Sequence, residues 1–261
     1  MDLNYQAPLL SQLKLIANKD VHSILISGLR GSGKTYCAKW FAVSKGIDTF
    51  HSVKPKVADL KAMITSSYQL QDNQVICIEN LDDGTDGAAQ VILKYLEEPL
   101  PNVYIFVTCT NCASIPDTIL SRVISLELPH PRVNDLAQYA RAINAQRYAA
   151  YKEYAAYKTC KTLSDVRQVL NMSLDQIKYY DNFYYNCDIT ELSISEAMWN
   201  INHYPDNSKC DIKISLRCLF DFYRNTKNAK YVLNSLLSLE NSRISETAIL
   251  GKLMLDLNYG D

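Results

Sequence analysis

The 261-residue chain is 48% hydrophobic and 21% charged, a globular balance that excludes wholesale disorder and collagen-like repeats and supplies apolar mass for more than one packed core. Lys plus Arg number 27 against 28 for Asp plus Glu, so any nucleic-acid contact has to come from a local patch or an assembly rather than from overall charge. No apolar run approaches the roughly 18–20 residues of a membrane span, and the opening MDLNYQAPLL lacks the layout of a leader. The eight cysteines are scattered, mostly in apolar contexts such as Val75-Ile76-Cys77-Ile78. Together these features read as a soluble, cytoplasmic chain with no membrane partner and with reduced, buried thiols.

Between residues 23 and 128, short apolar runs alternate with amphipathic stretches, the pattern of a parallel sheet with crossover helices. Strands are expected over residues 23–27, 48–53, 75–78, 103–108 and 123–128, and helices over 34–44, 57–68, 87–97 and 116–121. Most of these strands are continuous Val, Ile, Leu and Phe runs, which predicts cover on both faces. Pro129-His130-Pro131 ends the pattern, because prolines this close continue neither a central strand nor a helix interior. Beyond it the chain turns helical: residues 134–157 are rich in Ala, Tyr, Arg and Gln, 163–174 are amphipathic, and 179–188 are polar and aromatic. Further helices are expected over 193–201, 212–224, 229–239 and 245–257.

The strongest chemical signal is Gly28-Leu29-Arg30-Gly31-Ser32-Gly33-Lys34-Thr35, which has phosphate-loop spacing between an expected strand and an expected helix. Its glycines let backbone N–H groups turn inward around a polyphosphate, with the helix N-terminus adding favourable partial charge. Lys34 can neutralise the β and γ phosphates of ATP, and Thr35 can ligate Mg²⁺. Such a site also needs an acid on a neighbouring strand to orient the metal. The strand at 75–78 runs into Glu79-Asn80-Leu81-Asp82-Asp83, so Glu79 stands at that position. Asn80 follows where many such proteins carry a catalytic glutamate; its amide can orient water but cannot take a proton at neutral pH. Asp82 or Asp83 could substitute from farther along the turn.

Downstream, Ala88 to Pro99 (AAQVILKYLEEP) leads into Val103-Tyr104-Ile105-Phe106-Val107-Thr108 and then Ile115-Pro116-Asp117-Thr118-Ile119-Leu120-Ser121-Arg122. Over roughly residues 23–171 this resembles the AAA+ subunits of sliding-clamp loaders, particularly the bacterial DNA polymerase III gamma/tau and delta-prime subunits, whose LLKxLEEP and TxxSRC motifs match in spacing. The resemblance implies an α/β P-loop parallel-sheet domain over residues 1–130, a helical lid over 131–185 and a helical collar for oligomerisation over 186–261. It implies that Arg122 acts in trans as an arginine finger on the nucleotide of the next protomer, and that Thr108 to Thr110 hold the polar residue sensing the γ-phosphate. Arg167, in Leu163-Ser164-Asp165-Val166-Arg167, matches the lid arginine that contacts nucleotide. The implied partners are sister subunits in an open, pentameric ring, a sliding clamp and primer–template DNA. The family's SRC reads Ser121-Arg122-Val123 here, its Asp-Glu pair reads Glu79-Asn80, and its four-cysteine zinc module is missing, which would suit a streamlined replication system.

Three functional readings stay open on the sequence: an ATP-hydrolysing clamp-loader subunit, a delta-prime-like scaffold that binds nucleotide without turnover, and a helicase loader or branch-migration motor. Lys54, Lys56 and Lys61, on and before the helix at 57–68, are the expected contacts to the duplex backbone, repeated along it by the assembled subunits. Cys109-x-x-Cys112 lacks the two further ligands a zinc site needs. The aromatics Tyr179, Tyr180, Phe183, Tyr184 and Tyr185 suit packing more than base stacking, since few basic residues interleave them.

Overall fold

A computed structural model describes residues 4–19, 21–186, 197, 201, 210–223, 226–240 and 245–259. They form two compact units, one from the residues up to Gln138 together with Thr162–Ser164, the other from Tyr139–Lys161 and the residues from Asp165 onward.

The first unit is built on five parallel strands, β1 (Ser23–Ser27), β2 (Thr49–Val53), β3 (Gln74–Ile78), β4 (Val103–Cys109) and β5 (Ile124–Glu127), in the order β2-β3-β4-β1-β5. The non-sequential order requires crossovers, supplied by α2 (Lys34–Ser44), α3 (Val57–Ser67), α4 (Asp86–Glu97) and the single turn α5 (Asp117–Leu120), after an N-terminal α1 (Ala7–Ala17). Strand register sets Ser27 beside Cys109 and Ile78 beside Val107, so the loops leaving β1, β3 and β4 converge at the carboxyl edge of the sheet. That edge is where parallel sheets bind ligands.

Cover on both faces holds for the three central strands, whose residues are buried apart from Ser27 and Tyr104. At the edges it fails: β2 is half exposed, and β5 shows three of its four residues to solvent. On one face Leu25, Ile76, Ile105 and Val107 pack with Leu60 of α3 and Ile92 and Leu96 of α4. On the other, Phe41 of α2 meets Phe106 with ring centroids 5.0 Å apart, and α1 packs on α2.

The strand expectations are met to within one or two residues at each end. The helical stretch from 134 resolves into α6 (Val133–Tyr151), broken at Asn144 (φ −157°, ψ 95°), and a short α7 (Ala155–Lys158). Asn144 Oδ1 accepts the Arg147 N–H at 2.9 Å, so the break carries its own cap. Next come α8 (Leu163–Asn171) and α9 (Leu174–Asn186), the latter taking up most of the aromatic stretch as helix. Tyr180 is fully buried there and its hydroxyl accepts the Asp211 N–H at 3.0 Å, a packing role. The side chains of Phe183, Tyr184 and Tyr185 lie outside the described residues, as does the helix expected over 193–201 apart from Ala197 and Ile201, both buried.

The second unit closes with α10 (Ile212–Tyr223), α11 (Ala229–Glu240) and α12 (Glu246–Tyr259), packed through Leu216, Leu219, Val232, Leu250 and Leu253. A nearly buried ion pair joins Asp165 of α8 to Arg217 of α10 at 2.6 Å. Burial opposes charge on Asp165, but the Arg217 guanidinium and the Lys161 N–H hold its carboxyl below the usual range. Among the described residues no helix is long and apolar enough to cross a membrane.

Candidate nucleotide-binding site

The loop from Gly28 to Lys34 leaves β1 and is pinned at its start, where the Gly28 N–H donates to the Cys109 carbonyl at 3.1 Å. Gly31 and Gly33 hold φ of 79° and 103°, the left-handed region that glycine reaches without strain. At Gly31 there is also no room: a Cβ would lie 2.6 Å from that of Ser164, whose N–H donates to the Gly31 carbonyl at 3.2 Å. Ser32 is buried and its hydroxyl caps the Leu29 carbonyl at 2.7 Å. Lys34 is only 5% exposed, and its Nζ donates to the Gly28 and Leu29 carbonyls at 2.8 and 3.0 Å. Burial pulls its pKa down, and Asp82 is the strongest opposing charge. The loop thus encloses a cation that a phosphate could draw outward.

Thr35 lies in the first turn of α2, and its hydroxyl donates to Glu79 Oε1 at 3.2 Å. The same oxygen accepts the Ser52 hydroxyl from β2 at 2.6 Å. Hard oxygen donors from Thr35 and Glu79, brought together from distant parts of the sequence, fit Mg²⁺. Asn80 adopts a left-handed conformation (φ 48°), tolerated by Asn better than by most side chains, and its N–H donates to Thr108 Oγ1 at 2.9 Å. Asp82 Oδ2 accepts the N–H groups of Thr110 and Asn111 at 2.8 and 3.1 Å, while Asp83 pairs with Arg30. The two carboxylates offered as substitutes for the missing glutamate are both engaged: Asp83 by Arg30, and Asp82 by backbone amides of the loop after β4.

Gly28, Arg30, Gly31, Ser32, Gly33, Lys34, Thr35, Glu79, Asn80, Thr108 and Thr110 thus gather at the ends of β1, β3 and β4. Arg122 follows α5, with Nη2 on Glu97 Oε1 at 3.0 Å and Nη1 on the Thr118 carbonyl at 2.8 Å. Arg167 is exposed on α8 in the second unit. Lys54, Lys56 and Lys61 are exposed before and along α3. The Cys109 and Cys112 sulfurs approach to 3.7 Å as free thiols, and the described residues hold no cluster of metal-ligating side chains.

Sequence reasoning missed four contributors. Tyr5 and Gln6, just ahead of α1, both donate to the Ser32 carbonyl, and Ser52 and Ser164 act as above. Helix α1 itself carried a signal, a proline at its start and buried Leu9, Leu10, Leu13 and Ile16 at helical spacing. Contacts across 26 or 27 residues from Tyr5 and Gln6 to the loop had none.

Sheet order, glycine-lined turn and acid-bearing strand define the first unit as an α/β module of AAA+ fold. Comparison with known proteins narrows this. The sequence family described as DNA polymerase III, delta subunit, matches residues 43–132. DNA polymerase III subunit delta' of Haemophilus influenzae is 34% identical over 80 residues, 30% of this chain and 24% of that protein. Subunit tau/gamma of the same organism is 24% identical over 232 residues, 76% of this chain and 32% of that protein. The chain thus spans a third or less of either relative. In structure, the RuvB Holliday junction branch migration motor of Thermotoga maritima superposes with a TM-score of 0.55 at 16% identity, over 96% of this chain and 80% of that one. A DNA polymerase III gamma subunit-related protein of Thermotoga maritima gives 0.55 at 12% identity, over 95% and 97%. The structural likenesses establish fold alone; the sequence matches make the chain similar to DNA polymerase III clamp-loader subunits.

Proposed function

We propose that this chain is an ATP-binding subunit of a sliding-clamp loader, which assembles with sister subunits into an open ring, grips a clamp and places it on primer–template DNA in the cytoplasm. The observation that carries the reading is the meeting of Thr35 and Glu79 beside the buried ammonium of Lys34. On ATP binding, Lys34 exchanges the Gly28 and Leu29 carbonyls for phosphate oxygens, and Thr108 and Thr110 face the terminal phosphate. Thr35 and Glu79 would hold Mg²⁺, which would supply neutralisation of the phosphate charge. Arg122 leaves Glu97 to reach the nucleotide of the neighbouring protomer, Arg167 contacts nucleotide from the lid, and Lys54, Lys56 and Lys61 follow the DNA backbone.

A second reading, a delta-prime-like scaffold, keeps nucleotide binding and the donated Arg122 but drops turnover. Asn80 favours it, because an amide accepts no proton from the attacking water. One experiment tests both: titrate a fluorescent ATP analogue with and without Mg²⁺, follow phosphate release, and measure the mass of complexes formed with polymerase III clamp and companion subunits. Magnesium-dependent binding with clamp capture supports the reading, and absent turnover selects the scaffold. A site that takes up no nucleotide at saturation, or a chain that captures neither clamp nor companions, overturns it.

A further inference from the structure

The turn after β3 and the loop after β4 are stitched together in both directions. Asn80 donates its N–H to Thr108 Oγ1 at 2.9 Å, and Thr110 and Asn111 donate theirs to Asp82 Oδ2 at 2.8 and 3.1 Å. The β4 end is in turn tied to the phosphate loop, since the Cys109 carbonyl accepts the Gly28 N–H. Asp82 supplies the one carboxylate in this stitching. Its other oxygen, Oδ1, is enclosed and has no hydrogen-bond partner among the described residues. A carboxylate oxygen shut away from water without a partner is costly, and it persists where the surroundings supply compensating charge. The cation in reach is Lys34: burial pulls its pKa down, and among charged groups Asp82 opposes that fall most.

We propose that Asp82 is a positioning residue that sets the preference of this site for a nucleoside triphosphate over a diphosphate, by fixing the Thr110–Asn111 loop while serving as counter-charge to Lys34. The inference rests on the nucleotide-binding reading above. In the free site the carboxylate balances the buried ammonium. When phosphates take Lys34, the same carboxylate repels them, most strongly the terminal one nearest the β4 loop. Its two amide hydrogen bonds work the other way, holding Thr110 and Asn111, and with them the loop that follows Thr108, where they meet that phosphate. Charge and geometry at one residue therefore push the triphosphate preference in opposite directions.

Two substitutions separate them in the full chain. Asp82→Asn keeps an oxygen for the Thr110 and Asn111 amides and removes the charge; ATP affinity rises about fivefold, as expected for one close, partly screened charge, and ADP affinity rises less. Asp82→Ala removes both, and the ATP-to-ADP affinity ratio falls below that of the wild type. Asp72→Asn, an exposed carboxylate just ahead of β3 and at the end of that strand opposite the site, leaves the ratio within twofold. Competition of ATP and ADP against a fluorescent analogue in Mg²⁺ gives the ratios, and thermal unfolding confirms that each variant is folded. A merely structural Asp82 lowers the melting temperature and moves both affinities together, and that result overturns the proposal, as does an Asp82→Asn ratio within twofold of wild type. Failure of the wild type itself to bind either nucleotide overturns the nucleotide-binding reading, and the inference with it.

Discussion

Asn80→Glu restores the carboxylate that many related sites carry and tests whether the proton acceptor is what this site lacks. Residue 80 sits at φ 48° and ψ 65°, where a side chain longer than Asn crowds its own backbone at a cost of about 1 kcal/mol. Its N–H contact to Thr108 is a backbone bond and survives the change. A positioned general base contributes on the order of a hundredfold or more to rate. The variant is therefore about 1 kcal/mol less stable in denaturant titration, binds ATP as the wild type does, and releases phosphate about a hundredfold faster in single-turnover assays. Asn80→Gly is the control for backbone strain: glycine adopts the same conformation freely, so it loses no stability from strain and gains no turnover. If Asn80→Glu binds ATP normally and hydrolyses it no faster, the absence of a carboxylate at this position is not what limits the reaction.

Further outcomes follow from individual contacts. Ser52→Ala removes a hydroxyl that orients Glu79, so the Mg²⁺ concentration needed to support ATP binding rises about tenfold, while binding in EDTA stays unchanged. Lys34→Met abolishes nucleotide binding and changes the pH dependence of folding. The folded pKa of Lys34 lies below its ordinary 10.5, so the unfolded chain binds more protons between those values, and wild-type stability relative to Lys34→Met rises with pH across that window in urea titrations. Arg217→Met strands a nearly buried carboxylate and destabilises the second unit by about 3 kcal/mol. In the wild type the Asp165 carboxyl is held below its ordinary 3.8, so its contribution is complete above that value and disappears as pH falls through the folded one; the acid limb of the unfolding curve reports it.

What could be read from sequence follows from the physics of each element. Strands β1, β3 and β4 are sandwiched, so their apolar runs are continuous and self-evident; β2 and β5, at the edges, keep polar residues such as His51 and Ser125 and read less clearly. The glycine loop was legible because close backbone packing forbids side chains at fixed spacing, as the contact of Gly31 with Ser164 illustrates. Glu79 was legible as the acid ending a buried strand. Ser52, Tyr5 and Gln6 were not, because a hydroxyl or amide donating across the fold leaves no periodic trace. The break at Asn144 inside an alanine-rich stretch was equally silent, since asparagine competes for backbone bonds only where its surroundings favour it.

The grip of Tyr5 and Gln6 on the Ser32 carbonyl bears on how the protein is handled at the bench. An expression boundary drawn at the first strand would preserve every motif residue and still cut away the brace behind the glycine turn. Such a shortened product would look intact by sequence and bind ATP poorly, and a purification tag fused tightly ahead of Asn4 risks the same injury by displacing the aromatic ring. Activity lost on trimming the amino terminus should therefore be traced to this brace before it is blamed on the phosphate-binding residues themselves.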